Sequence, residues 1–188
     1  MTDRVGRLSR LALLLALATV IHTAEAFLPI TVVWFRFGFA NIIGLATLYL
    51  FGFKDALLIT LGRIFLGSLA TGLFGSPAFV LSLAGGICAI LAMGIAHRLA
   101  ARFFSEIGIS LIGAVAHNTA QLVAAYFILV RNRGIFLLFP MMLLASIGTG
   151  FINGFAARFF ITHFRKISPP SIPHESTTAG ADRHQASL

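Results

Sequence analysis

The chain has 188 residues, of which 58% are hydrophobic and 11% are charged, and its mean hydropathy is +0.94. Soluble domains are usually about 45–50% apolar, so this composition excludes an ordinary soluble enzyme and indicates an integral membrane protein. The net charge of +8 does not indicate nucleic-acid binding, because the basic residues lie at the ends of apolar segments and form no continuous face. Basic residues in such positions are typical topology signals.

Six apolar runs follow one another along the chain, at about residues 8–28, 33–53, 56–75, 77–101, 107–130 and 134–161. Each run is long enough for a transmembrane helix of about 20 residues. The sequence therefore predicts an all-α, polytopic membrane helix bundle of about six transmembrane helices, built as a single domain from residues 1–166. Residues 167–188 are rich in Ser, Pro, Thr and Ala, bury little apolar surface, and are predicted to form a disordered tail.

The first apolar run has two interpretations. Its basic start, its apolar stretch and the sequence Ala24-Glu25-Ala26 also match a cleavable signal peptide. Cleavage would leave five helices with unchanged orientation. The acidic side chain of Glu25 favours an uncleaved first helix.

The basic residues predict an orientation for the bundle. If six spans alternate in direction, most of the basic side chains share one side, namely Arg4, Arg7, Arg10, Lys54, Arg98, Arg102, Arg158, Arg165 and Lys166. The opposite side carries Arg36, Arg131 and Arg133. The positive-inside rule then predicts cytoplasmic termini, in a multi-pass protein of a bacterial inner membrane.

A polar cluster lies midway along the fifth run, where His117, Asn118 and Gln121 interrupt apolar and small residues. Polar side chains in hydrocarbon face protein, water or a ligand. At 3.6 residues per turn, His117 and Gln121 share one stripe of the helix, with Asn118 beside it. The cluster indicates either a ligand site or hydrogen bonds that only tie helices together.

A buried arginine is predicted as well, because Arg63 lies near the centre of the third run. Placing arginine there costs about 2.5–3.5 kcal/mol, so it requires a partner or a wet cavity. Five of the six acidic residues fall in loops, termini or helix ends, which leaves Glu25 or an anionic ligand as the partner. Glu25 has an alternative partner in Arg36, since both are expected near the outer side together with Asn41.

Several kinds of chemistry find no support in the sequence. The single cysteine, Cys88, excludes an intramolecular disulfide, and His22 and Glu25 lack a third nearby metal ligand. There is no phosphate-binding Gly-Lys-Ser/Thr motif. No metal and no cofactor are expected.

Certain motifs resemble a known family over about residues 20–160. They are Glu25-Ala-Phe-Leu-Pro29, Arg36-Phe-Gly38-Phe-Ala40-Asn41, Arg63, Ser82-Leu-Ala-Gly85-Gly86, Ser105-Glu-Ile-Gly108-Ile-Ser110, Gly113-Ala-Val-Ala-His117-Asn118 and Gln121. The chain resembles the Gx transporter family, also labelled heptaprenyl diphosphate synthase component I. It departs from the family at Arg36, where lysine is expected, and at Ala120, where glycine is expected. The resemblance also favours an uncleaved first helix.

This family is similar to the substrate-binding S components of energy-coupling-factor importers, which are six-helix membrane proteins powered by an ATPase pair and a coupling membrane subunit. The resemblance implies uptake of a small organic solute. The implied solute-binding residues are Glu25, Arg36, Asn41, Arg63, Ser82, His117, Asn118 and Gln121. Small residues on the first helix, Ala12 and Ala16, are implied to dock the coupling subunit.

The synthase label leads to an alternative. Prenyl chain elongation of the usual kind holds magnesium and diphosphate between aspartate-rich motifs, because Mg²⁺ prefers oxygen ligands. This chain has three separate aspartates, Asp3, Asp55 and Asp182, so it is not expected to be the catalytic subunit. The alternative is a non-catalytic membrane subunit of a heptaprenyl diphosphate synthase. In a third hypothesis the chain is a structural membrane partner whose polar cluster only fastens helices.

Overall fold

A computed structural model describes residues 2–27, 38–100 and 102–167. The described residues form six α-helices and no strand: α1 (Thr2–Ala26), α2 (Asn41–Phe51), α3 (Phe53–Ala70), α4 (Pro77–Ala100), α5 (Glu106–Ala125, continued by a π-helical turn, Tyr126–Val130) and α6 (Phe139–Ile167, preceded by a 3₁₀ turn, Arg133–Leu138). Four of the described helical segments are long and apolar enough to cross a membrane. The predicted all-α membrane bundle is therefore confirmed. Of the predicted disordered tail, residues 167–188, Ile167 is the last residue of α6, and residues 168–188 lie outside the described residues.

Helices α2 and α3 form a tight antiparallel hairpin around Gly52, whose φ of +94° favours glycine. Two contacts show the pairing. Arg63 donates to Asn41, and a Cβ built on Gly44 would lie 3.2 Å from the hydroxyl oxygen of Thr60. Each pair is equidistant along the chain from Gly52, as an antiparallel hairpin requires.

The second helix differs from the predicted span of residues 33–53. Its described part begins only at Asn41, after a turn at Gly38–Ala40 in which Gly38 has a φ of +73°. Residues 28–37 of that predicted span lie outside the described residues. The third helix is also shorter than predicted, because it ends at Ala70, just before Gly72 turns the chain with a φ of +70°.

One end of the bundle collects the basic residues. Arg7 on α1 forms an ion pair with Asp55 on α3 (2.5 Å), and the rings of Phe51 and Phe164 lie 6.0 Å apart. The start of α1, the α2–α3 turn and the end of α6 therefore meet. We call this the basic end, defined by Arg4, Arg7, Arg10, Lys54, Arg98, Arg102, Arg158, Arg165 and Lys166. The grouping follows the prediction from hydropathy and charge.

Helices α5 and α6 pack closely through glycines. A Cβ at Gly150 would lie 2.9 Å from the Cα of Leu111, and one at Gly154 would lie 2.6 Å from the Cα of Ile107. The four-residue spacing of small residues on α6 therefore serves packing within the bundle. On α1, by contrast, Ala12 and Ala16 lie on an exposed face.

Candidate functional site

A non-helical segment, Gly38–Ala40, lies in the interior of the helix bundle, and both Gly38 and Ala40 are buried. The backbone N–H of Gly38 donates to Glu25 Oε1 on α1 (2.5 Å). The carbonyl oxygen of Gly38 accepts from Asn153 Nδ2 on α6 (3.1 Å). Backbone groups that leave a helix inside a membrane need such partners. Two side chains from different helices therefore hold this segment in place.

Arg63 is among the most buried side chains of the described chain, with an exposed fraction of 2%. Its guanidinium donates to Asn41 Oδ1 at 2.6 Å. Asn41 is the first residue of α2, so the residue that directly follows the Gly38–Ala40 segment supplies a partner for the arginine. The sequence predicted that a buried Arg63 requires a partner, and the neutral side-chain amide of Asn41 is one such partner.

His117 and Gln121 form the part of the polar cluster that faces this segment. The amide nitrogen of Gln121 lies 3.0 Å from His117 Nε2. Two glycines make room for the imidazole ring. A Cβ at Gly38 would lie 3.3 Å from His117 Nε2, and a Cβ at Gly85 would lie 2.9 Å from His117 Nδ1. The imidazole therefore packs between α4 and the Gly38–Ala40 segment.

These contacts define one buried set of residues, which we call the Gly38 network. It combines side chains from five helices around one irregular segment. Its members are Glu25, Gly38, Asn41, Arg63, His117, Gln121 and Asn153. Five of the eight residues predicted as solute-binding belong to it.

Of the other three predicted residues, the structure places two away from the Gly38 network. Asn118 donates to the hydroxyl of Ser146 (2.6 Å) and to the carbonyl of Met142 (3.3 Å), so it ties α5 to α6. Ser82 donates to the carbonyl of Ala78 in its own helix (2.8 Å). Arg36 lies outside the described residues.

The sequence reasoning missed Asn153, although the signal was present. Asn153 is an amide inside an apolar helix, which is the pattern that identified His117 and Asn118. Its Oδ1 is buried and has no hydrogen-bond partner among residues 2–27, 38–100 and 102–167. Buried polar atoms are usually hydrogen-bonded, so this oxygen is an acceptor available to a donor on a ligand or to water.

His22 and Glu25, the two possible metal ligands in α1, have no third ligand nearby in the described part of the chain. No group of three His, Cys, Asp or Glu side chains lies close enough together there to hold a metal ion. His22 packs against α3, where a Cβ at Gly67 would lie 2.5 Å from its ring.

Comparison with known protein families gives a match over a range that includes the whole Gly38 network. The family model for heptaprenyl diphosphate synthase component I matches residues 14–160. The chain belongs to the heptaprenyl diphosphate synthase component I family. No curated protein and no solved structure matches it. The matched range contains every member of the Gly38 network, and the family description, as a component, indicates that members act with partner subunits.

Proposed function

We propose that this family member is the solute-binding membrane component of a transporter, similar to an S component, that takes up a small organic solute with energy supplied by partner subunits. The observation that supports this most strongly is the Gly38 network. In transporters, irregular backbone inside the membrane typically lines substrate sites, because side chains and ligands must satisfy its polar groups.

The polar groups of the Gly38 network favour a solute that carries both a hydrogen-bond acceptor and a hydrogen-bond donor. Arg63 and Asn41 offer donors to a carboxylate or carbonyl group. Asn153 Oδ1 offers an acceptor near Gly38, and the His117–Gln121 pair offers further polar atoms on the facing helix. The proposed site therefore adds Asn153 to the predicted residues and gives Asn118 a packing role.

The exposed Ala12 and Ala16 support the proposed docking of a coupling subunit. Small residues at four-residue spacing let a second helix approach closely, and both lie on a face of α1 that the described bundle leaves uncovered. In the proposed orientation both termini are cytoplasmic, which puts the basic end on the side of a soluble ATPase pair.

A second function is favoured by the family description itself, which names a component of heptaprenyl diphosphate synthase. Here the chain is a non-catalytic membrane subunit that binds the lipid diphosphate through arginines such as Arg63. The two functions require different partners. A transporter component associates with nucleotide-binding subunits, whereas a synthase component associates with a soluble subunit that carries aspartate-rich motifs.

The test is to purify the tagged protein from its native membranes in mild detergent and to identify the accompanying proteins by mass spectrometry. Recovery of an ATPase pair and a coupling membrane subunit is the expected result. Recovery of a prenyl synthase subunit instead would overturn the transporter proposal. Ala12→Leu with Ala16→Leu should reduce recovery of the coupling subunit, while the exposed control Ala70→Leu on α3 should not.

A further inference from the structure

We propose that the basic end contains a binding site for an anionic phospholipid of the surrounding membrane. The site is a cavity of about 560 Å³ between the α2–α3 turn and the last turns of α4. Its volume lies within the range of about 300–1,000 Å³ that is usual for ligand pockets. It shares no residue with the Gly38 network, so it is independent of the transport proposal.

Two glycines create the cavity. Gly52 turns the chain in the left-handed region, and a Cβ built there would meet nothing within 4 Å, so the position borders open space. Gly94 on α4 lies under the ring of Phe53, because a Cβ at Gly94 would be 2.5 Å from a ring carbon. The ring of Phe53 thus packs directly on the backbone of α4 at Gly94 and forms one wall of the cavity.

The lining changes from apolar to polar along α4. Leu91 and Ile95 line the apolar part, whereas His97 and Arg98 lie at the end of the helix. From Leu91 to Arg98 the helix rises by about 10 Å at 1.5 Å per residue. An apolar wall of this length suits the first carbons of an acyl chain, and a cation at its end suits a phosphate group.

The charges around the mouth are complementary to an anion. Arg98 is exposed, and so is Lys54, which follows Phe53 directly. The lining residues that the structure describes include no carboxylate. Of the carboxylates nearby, Asp55 is paired with Arg7, and Glu106 lies near Tyr49, behind the lining residue His97. Basic pockets between membrane helices bind anionic lipid headgroups in this way.

Access from the bilayer favours a lipid over a soluble anion. Ile95 is 59% exposed and Leu91 is 42% exposed, so the apolar wall opens sideways toward the position of the acyl chains. His97 stands edge-on to Tyr49, with ring centroids 4.6 Å apart. Aromatic and basic side chains together are typical of the membrane–water interface, where headgroups lie.

The experiment measures thermal unfolding of the delipidated full-length protein in detergent during titration with dioleoyl-phosphatidylglycerol or dioleoyl-phosphatidylcholine. The two lipids share acyl chains and differ in net charge. We expect the anionic lipid to bind more tightly. Arg98→Gln should weaken that binding by about fivefold, whereas Arg165→Gln, which removes a basic charge from the same end on α6, should leave it within a factor of about two.

A second variant tests the apolar wall. Ile95→Trp places a large side chain in the cavity at an exposed position and should abolish the preference for phosphatidylglycerol. Equal binding of the two lipids by the native protein, or equal effects of Arg98→Gln and Arg165→Gln, would overturn the proposal. So would stabilisation by soluble glycerol phosphate equal to that by the phospholipid, because the acyl chain would then contribute nothing.

Discussion

Asn153 on α6 donates a hydrogen bond to the carbonyl oxygen of Gly38, a residue 115 positions earlier in the chain. Glu25 on α1 binds the N–H of the same glycine. Helices from the two ends of the sequence thus hold both backbone groups of one buried residue. The irregular segment depends on them, because lipid offers no hydrogen bonds in their place.

Replacing Asn153 should therefore destabilise the protein. Asn153→Leu keeps a similar shape but removes the donor to Gly38. We expect a loss of unfolding free energy between about 0.6 and 1.7 kcal/mol, the average and the maximum measured for polar pairs between membrane helices. Thermal unfolding in detergent measures it. Thr149→Val is the control, because the Thr149 hydroxyl bonds only within α6; equal losses in the two variants would contradict the role of Asn153.

Gly38→Ala should destabilise the protein more than Gly72→Ala. Both glycines have a φ near +70°, where a Cβ costs about 1–2 kcal/mol. At Gly38 the added Cβ would also lie 2.7 Å from Asn41 Nδ2, whereas at Gly72 nothing lies within 4 Å. The crowding adds about 1–3 kcal/mol. Unfolding free energies of the two variants measure the difference, and equal values would show that Gly38 is not confined as described.

The number of helices and the basic end could be predicted from sequence, because hydropathy and the positions of Lys and Arg depend little on tertiary detail. The turn at Gly38–Ala40 and the start of α2 at Asn41 could not be predicted. The chain at Gly38-Phe39-Ala40 contains no proline, and its turn is held by Glu25 and Asn153, which are distant in sequence. The hydrogen bond from Arg63 to Asn41 could not be predicted either, because it depends on the hairpin at Gly52.

The polar cluster of α5 was found from sequence, but the roles within it were not separated. His117 and Asn118 are neighbours in the chain, so their side chains point about 100° apart around the helix. His117 meets the Gly38–Ala40 segment, whereas Asn118 meets α6. Only the packing of the neighbouring helices shows which side chain faces the candidate site.

This difference predicts a separation of effects under the proposed function. A solute bound to the purified native protein would first be identified by mass spectrometry, and His117→Ala should weaken its binding by about threefold to tenfold, as expected for one lost hydrogen bond. Asn118→Ala should lower the unfolding temperature of the solute-free protein but leave the affinity nearly unchanged. Thermal unfolding with increasing solute measures both quantities. A similar loss of affinity in both variants would contradict the separation.

Gly154→Ala should destabilise the protein, whereas the same substitution at Gly148 on α6 should not. A Cβ at Gly154 would lie 2.6 Å from the backbone Cα of Ile107, so α5 and α6 must separate to admit it. We expect Gly154→Ala to destabilise the protein by about 1–3 kcal/mol.

At Gly148 an added Cβ meets nothing within 4 Å, and alanine is favoured over glycine in a helix by up to about 1 kcal/mol. Gly148→Ala should therefore leave the unfolding free energy unchanged or raise it. Thermal unfolding of both variants checks the pair, and a neutral Gly154→Ala would show that α5 and α6 do not pack closely at Gly154.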